Sequence, residues 1–167
     1  MRRSAAVQAN LRTQAGDRVF FSSGSAALGS KARSALAAQA RWLSQHRGLE
    51  ATIEGHADEP GTEEQNLALS TQRAEAVRQR LIEEGVAPAR LEIVARGRTR
   101  RVAICNDPVC RAQNRRVITI VFVSGTHRRL GWSTVPSASR GRVETQSLGP
   151  GRPVSAAKAS QKVGLPR

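Results

Sequence analysis

The sequence contains no tyrosine, and aromatic residues make up only 3% of its 167 residues. Because proteins hold single-stranded nucleic acid largely by stacking bases on aromatic rings, this scarcity argues against a dedicated base-stacking surface. No apolar run approaches the ~18–20 residues that a membrane-spanning helix needs. Phosphate-loop and Gly-x-Ser-x-Gly motifs are also absent. The sequence therefore predicts a protein that is not an enzyme.

Acidic residues are also few, at 13 against 27 lysines and arginines, and the net charge is +14. A charge of this size favours nucleic acid or another anionic surface as a partner. The excess is concentrated at the ends, because residues 124–167 contribute +7 and residues 1–16 contribute +3. Non-specific, salt-sensitive binding of nucleic acid or an anionic surface through the basic tail is therefore the alternative function.

Cysteine occurs only at Cys105 and Cys110. Their spacing differs from the Cys-x-x-Cys of zinc knuckles, and no histidine lies near them. An intraloop disulfide is the better interpretation if the domain is exported. The first ten residues lack the 7–15-residue apolar core of a secretory signal. Taken literally that absence favours the cytoplasm, and a truncated start would look the same.

Residues 17–123 carry the hydrophobic periodicity of a folded domain. The order of the predicted elements, β-α-β-α-β-β, favours an α/β two-layer sandwich in which both helices cover one face of a mixed sheet. Residues 1–16 are polar and are interpreted as a leader or linker. Residues 124–167, rich in Ser, Gly, Pro, Ala and Arg, are predicted to form a disordered tail. The predicted strands cover 18–21, 50–55, 91–95 and 116–123, and the helices cover about 30–45 and 66–84.

The most informative segment runs from Ile53 to Arg73. It reads as a strand that ends at Gly55, a polar loop that carries Asp58, and a helix that presents Asn66 and Arg73. These last two residues are seven positions apart and so return to nearly the same helix face. A carboxylate that faces a guanidinium can clamp a ligand carrying both an ammonium and a carboxylate. The alternative without a ligand is a salt bridge between Asp58 and Arg73.

His56, next to this carboxylate, raises the hypothesis of a metal site or a general base. A catalytic zinc needs three protein ligands with supporting partners, and the other two histidines, His46 and His127, lie at a helix end and in the tail. The favoured interpretation is a histidine that hydrogen-bonds the loop at a strand end. The sequence therefore predicts no metal and no cofactor.

Three stretches together resemble the OmpA-like peptidoglycan-binding domain family, and are closest to its peptidoglycan-associated lipoproteins. They are Gly-His-x-Asp-Glu-x-Gly-Thr from Gly55, Asn-x-x-Leu-Ser-x-x-Arg-Ala from Asn66, and Asn-Arg-Arg-Val from Asn114. The resemblance implies non-covalent binding of the diaminopimelate stem peptide, with Asp58 on the ammonium and Arg73 on the carboxylate. Asn66 would bridge to the ligand or orient Arg73. The residues that the resemblance assigns to the site are Asp58, Arg73, Asn66, Phe21, Ser22 and Arg115.

The resemblance also implies a place at the periplasmic face of the outer membrane, tethering the envelope to the wall. Tol-type periplasmic proteins are then further partners. Two features depart from the family: Ser22–Ser25 replace an aspartate after the Phe strand, and no export signal or lipid-bearing cysteine precedes the domain. Arginines concentrated over 96–116 predict either an anion-facing edge or a solvated surface.

Overall fold

The computed structural model describes residues 2–104 and 106–124. Cys105 and all of the predicted disordered tail after residue 124 lie outside this range. None of the described helices is both long enough and apolar enough to cross a membrane. The elements are α1 (Arg2–Gln14), β1 (Arg18–Phe20), α2 (Ser30–Gln45), β2 (Leu49–Gly55), α3 (Glu63–Glu83), a 3-10 turn (Pro88–Arg90), β3 (Leu91–Ala95), α4 (Pro108–Asn114) and β4 (Arg116–Val123).

The four strands form one mixed sheet in the order β1-β4-β2-β3. β2 and β3 are parallel, whereas β4 runs antiparallel to both β1 and β2. A parallel pair needs a crossover connection, and α3 provides it. The predicted α/β class and mixed sheet are confirmed, and α2, β3 and β4 have the predicted bounds.

α3 begins three residues before the predicted start because Thr62 and Gln65 form a capping box. The Thr62 hydroxyl accepts the backbone N–H of Gln65, and the Gln65 side chain accepts the backbone N–H of Thr62. This exchange satisfies two amide groups that a helix start leaves without partners. The first turn of α3 is thereby tied to the loop that carries Asp58.

The core lies between one face of the sheet and the apolar sides of α2 and α3. Val117 and Val121 of β4 alternate inward and pair in register with Gly55 and Ala51 of β2. The helices contribute a larger set of fully or almost fully buried side chains: Leu36, Ala40 and Leu43 from α2, and Ala74, Val77 and Leu81 from α3.

The interpretation of residues 1–16 as a leader or linker needs correction, because residues 2–14 form helix α1 and Leu11 is fully buried in the core. β1 pairs with only three residues of β4, and α1 covers the strand edge beyond them. The Gln8 amide donates to the Thr119 carbonyl at 3.0 Å and accepts the Val121 N–H at 2.9 Å. A side chain thus replaces a neighbouring strand and protects an open sheet edge. The amphipathic pattern of α1 is weak because most of its residues are polar or small, including the glutamine that makes this contact.

Candidate functional site

The site lies at the carboxyl ends of the parallel strands β2 and β3, where the loops that follow them meet the first half of α3. Open sheets commonly place ligand sites outside the carboxyl ends of parallel strands. The Ala57 N–H donates to the Gly97 carbonyl at 3.0 Å, and the Gly97 N–H donates to the Ser70 hydroxyl at 3.0 Å. These bonds hold the two loops and the helix together.

Asp58 is almost completely buried, with 1% of its surface exposed. Its Oδ2 accepts a 2.8 Å hydrogen bond from the side chain of Asn114. Its Oδ1 lies 3.4 Å from Nε of Arg98 and 4.0 Å from Nη1 of Arg101. A buried carboxylate is tolerated when it is hydrogen-bonded and close to positive charge, and Asp58 has both. Its partners come from the loop after β3 and from the end of α4, and none of them is Arg73.

Asn114, at the end of α4, was not predicted as a site residue although it opens the quoted Asn-Arg-Arg-Val motif. Its Oδ1 accepts the N–H groups of Val102 and Ala103, at 2.8 and 3.0 Å. Its Nδ2 donates to the Ala103 carbonyl as well as to Asp58. α4 itself was predicted to be loop, and Asp107 begins it by accepting the N–H groups of two following residues. One side chain therefore fixes both the carboxylate and the loop over it.

Arg73 is fully buried, and its ion-pair partner is Glu59. A guanidinium offers five N–H donors, and five bonds engage them here. Nε donates to the Ser25 carbonyl at 2.9 Å. Nη1 donates to the His56 carbonyl and Glu59 Oε2, at 3.2 and 3.4 Å, and Nη2 donates to the Ser22 carbonyl and Glu59 Oε1, at 3.0 and 2.5 Å. The Asp58–Arg73 salt bridge considered from the sequence is corrected to Glu59–Arg73.

Glu59 was quoted within the motif but was not assigned a role. Besides Arg73, it accepts the backbone N–H of Asp58 at 2.8 Å and that of Gly24 at 3.3 Å. Asn66 holds the backbone of Glu59 in turn, because its Oδ1 accepts the Glu59 N–H at 2.9 Å and its Nδ2 donates to the Glu59 carbonyl at 3.1 Å. Asn66 therefore positions the partner of Arg73, with only 1% of its surface exposed.

Phe21, Ser22 and Arg115 also come together around Arg73. The Phe21 ring is buried, with its centroid 5.3 Å from the Arg73 Cζ. Ser22 contributes its carbonyl to Arg73. Nε of Arg115 donates to the Phe21 carbonyl at 3.2 Å, and the Arg115 carbonyl accepts the Phe21 N–H. The Ser22–Ser25 loop is thus held by Arg73 through its backbone carbonyls.

The model of the OmpA family matches residues 20–115, which include the predicted site residues. The chain belongs to the OmpA family. Two relatives named peptidoglycan-associated lipoprotein are similar to it. The one from Mesorhizobium japonicum is 45% identical over 111 residues, covering 66% of this chain and 66% of the relative. The one from Agrobacterium fabrum is 41% identical over 118 residues, covering 71% and 67%. The OmpA-family chain thus spans about two thirds of the length of these curated relatives.

The solved structure of a further relative agrees with this family assignment. The peptidoglycan-associated lipoprotein from Burkholderia pseudomallei superposes with a TM-score of 0.62 at 37% identity, covering 64% of this chain and 90% of that one. The C-terminal domain of MotB from Helicobacter pylori has a TM-score of 0.60 at 21% identity, with coverage of 68% and 89%, and shows the fold alone. The alternative of binding through the basic tail finds no support in these OmpA-family relatives, and that tail lies outside the described residues.

His56 lies beside the site in the OmpA-family domain, two residues before Asp58 in the sequence. It is 1% exposed, and its Nε2 lies 3.1 Å from Oε1 of Glu54. Arg96 places Nε 2.9 Å from the other Glu54 oxygen. The His56 imidazole and then the Arg96 guanidinium, against the opposing effect of burial, lower the pKa of Glu54 to about 2. Within residues 2–104 and 106–124, no group of three or more His, Cys, Asp or Glu could hold a metal ion.

This lowered pKa makes the stability of the OmpA-family domain sensitive to acid. Because the folded-state pKa of Glu54 lies below its ordinary 4.5, its stabilising contribution is fully present above pH 4.5 and is lost as the pH falls toward 2. The shift corresponds to about 3 kcal/mol of unfolding free energy. We expect the Glu54→Gln variant to show a flatter loss of stability between pH 4.5 and pH 2, measured by urea unfolding. An unchanged pH profile would contradict this assignment.

The predicted Cys105–Cys110 disulfide stays a prediction, because Cys105 lies outside the described residues. Cys110 belongs to α4, the short helix that ends at Asn114. A bridge from it would therefore restrain the segment that carries the hydrogen-bond partner of Asp58.

Proposed function

We propose that this domain binds the diaminopimelate-containing stem peptide of peptidoglycan non-covalently and so tethers the outer envelope to the cell wall. The names of its relatives, which are called peptidoglycan-associated lipoproteins, support association with the wall. The role is non-catalytic and needs no cofactor. The place of action would be the periplasmic face of the outer membrane, with Tol-type periplasmic proteins as further partners.

One observation carries the proposal: Asp58 is a buried carboxylate with one oxygen fixed by Asn114 and the other facing the long cationic side chains of Arg98 and Arg101. A ligand ammonium can replace those side chains at Oδ1 without disturbing the bond to Oδ2. Desolvated charge pairs of this kind are stronger than exposed ones because the local dielectric constant is lower. Asp58 would thus receive the amino group of the diaminopimelate side chain.

Arg73 and Glu59 would serve this binding by holding the surrounding loops. Their pair joins the Ser22–Ser25 loop to the loop after β2, so both walls of the site share one internal anchor. The sequence-based assignment of the ligand carboxylate to Arg73 stays a prediction. It requires Arg73 to give up at least one of its five bonds when the ligand arrives.

The proposal is tested with Asp58→Asn, which keeps the shape of the side chain and removes its charge. We expect retention on purified diaminopimelate-type sacculi to fall on the order of ten- to a hundredfold, the value of one charge-assisted bond. Sedimentation with sacculi measures this, and a free stem tripeptide should compete with the wild-type chain.

The matched control is Glu75→Gln, which removes an exposed carboxylate of α3 that pairs with Arg78 at 3.5 Å. We expect its retention to equal that of the wild-type chain. Circular dichroism checks that both variants are folded. Undiminished sedimentation of folded Asp58→Asn would exclude Asp58 as the ammonium partner, and failure of the wild-type chain to sediment would refute the function itself.

A further inference from the structure

Two arginines in the loop after β3 converge on the same oxygen of Asp58. Nε of Arg98 lies 3.4 Å from Oδ1, and Nη1 of Arg101 lies 4.0 Å from it. Both distances exceed the 2.7–2.9 Å of a good charge-assisted hydrogen bond, so the two guanidiniums are paired loosely with Asp58. Nε of Arg98 is buried and makes no hydrogen bond within the described part of the chain. The two guanidiniums therefore lie near the Asp58 carboxylate without a short hydrogen bond to it.

The two arginines also remain accessible, with 32% and 36% of their side chains exposed. Arg73 differs on both counts, because it is fully buried and all five of its donors are in use. A carboxylate that arrives beside Asp58 therefore meets the donors of Arg98 and Arg101 before any donor of Arg73. Such partly exposed guanidiniums can rotate to form two parallel bonds with it.

Charge balance at the site then selects the ligand. An ammonium alone at Oδ1 would lie against two guanidiniums and be repelled by them. A carboxylate alone would lie against Asp58. A centre that carries both groups on one carbon satisfies all the charges, because the ammonium pairs with Asp58 while the displaced arginines pair with the carboxylate.

We propose that Arg98 and Arg101 bind the carboxylate of the ligand's zwitterionic centre and make the site selective for stem peptides in which that carboxylate is free. The inference rests on the proposed function and adds its selectivity. Some stem peptides have an amidated carboxylate or carry lysine in place of diaminopimelate. Such peptides bring an ammonium but no carboxylate to the two arginines, and these peptides bind weakly.

The test uses two synthetic stem tripeptides, one with the zwitterionic centre of diaminopimelate intact and one with its carboxylate amidated. Isothermal titration calorimetry measures both against the wild-type chain and the R98Q/R101Q variant. The wild-type chain should prefer the free carboxylate at least tenfold. The double variant should lose most of that preference by binding the free form more weakly, while its affinity for the amidated form stays the same or rises because the repulsion from the two guanidiniums is gone.

Two further variants keep the result interpretable. Arg100→Gln removes an exposed positive charge from the same loop and should keep the full preference, which separates a specific contact from general attraction. R98K/R101K keeps the charge without the guanidinium fork and should keep part of the preference. Thermal unfolding confirms that each variant is folded.

The outcomes separate this inference from the function on which it rests. If the double variant binds both tripeptides more weakly by the same factor, the arginines contact another anion of the stem and the inference fails. An undiminished preference in the double variant overturns it as well, and assigns the carboxylate elsewhere, while the proposed function stands. If the wild-type chain binds neither tripeptide, the proposed function fails and the inference falls with it.

Discussion

Replacing Arg73 with leucine is expected to lower the free energy of unfolding by about 3–5 kcal/mol, the usual cost of removing one partner from a buried ion pair. Arg73 is fully buried, and Glu59 would remain in the protein interior without its cation. The carbonyls of Ser22, Ser25 and His56 would also lose a donor each. Equilibrium urea unfolding, followed by circular dichroism, measures the loss.

Two control variants define the cause. Arg80→Leu removes a surface arginine of the same helix, whose pairs with Glu83 and Glu84 are partly exposed, and it should cost less than about 1 kcal/mol. Arg73→Leu combined with Glu59→Leu should be less destabilising than the sum of the two single changes, because no isolated buried charge remains. A single Arg73→Leu variant as stable as Arg80→Leu would contradict the buried network.

This expected loss of stability changes how the binding site must be tested. A variant of Arg73 that no longer sediments with sacculi can have lost the ligand contact or the shape of both loops. Asp58→Asn does not share this ambiguity, because the bond from Asn114 to the side-chain oxygen can still form. The Asp58 variant therefore tests ligand binding, and the Arg73 variant tests the support of the site.

Periodic hydrophobic patterns made most of the sheet and the two long helices predictable. Strand β4 is apolar at every position from Val117 to Val123 except Thr119, and α2 places its buried residues at helical spacing. Each pattern lies within one continuous stretch of sequence, so it is predictable without knowledge of the tertiary structure. α1 was missed because Val7 and Leu11 are its only larger apolar residues, and much of its contact with the sheet runs through the amide of Gln8, which adds nothing to a hydrophobic period.

The site residues were predictable as a group, whereas their pairing was not. Asp58 and Glu59 are adjacent carboxylates, and either could have faced Arg73. The choice follows from the path of the loop, which Asn66 sets by bonding the backbone of Glu59. Asn114 reaches Asp58 across 56 positions of sequence. Such a contact depends on the tertiary arrangement that brings α4 and β4 next to the carboxyl ends of β2 and β3. Residue spacing within one segment does not predict this arrangement.

Gly55→Ala is the second change with a large expected effect, because at Gly55 the backbones of β2 and α3 lie too close together to admit a Cβ. A Cβ at this position would lie 2.1 Å from the Ser70 carbonyl oxygen, 3.0 Å from the carbonyl carbon and 3.1 Å from Cβ of Ala74. Two of these atoms belong to the helix backbone, which cannot rotate away as a side-chain end can. We expect a loss of about 3 kcal/mol or more in unfolding free energy, at the upper end of the cost of overpacking.

The same clash should also weaken binding, which distinguishes Gly55 from an ordinary core position. α3 must move away from β2 to admit the methyl group, and it carries Asn66, Ser70 and Arg73 with it. Gly48→Ala is the matched control, because a Cβ there meets nothing within 4 Å and its backbone has no positive φ. We expect Gly55→Ala to lower both the urea midpoint and sedimentation with sacculi, and Gly48→Ala to leave both near the wild-type values. If Gly55→Ala unfolds at the wild-type urea concentration, α3 and β2 do not pack as closely as the structure shows at Gly55. The close packing at Gly55 would then not be what places the first half of α3 beside the Asp58 loop.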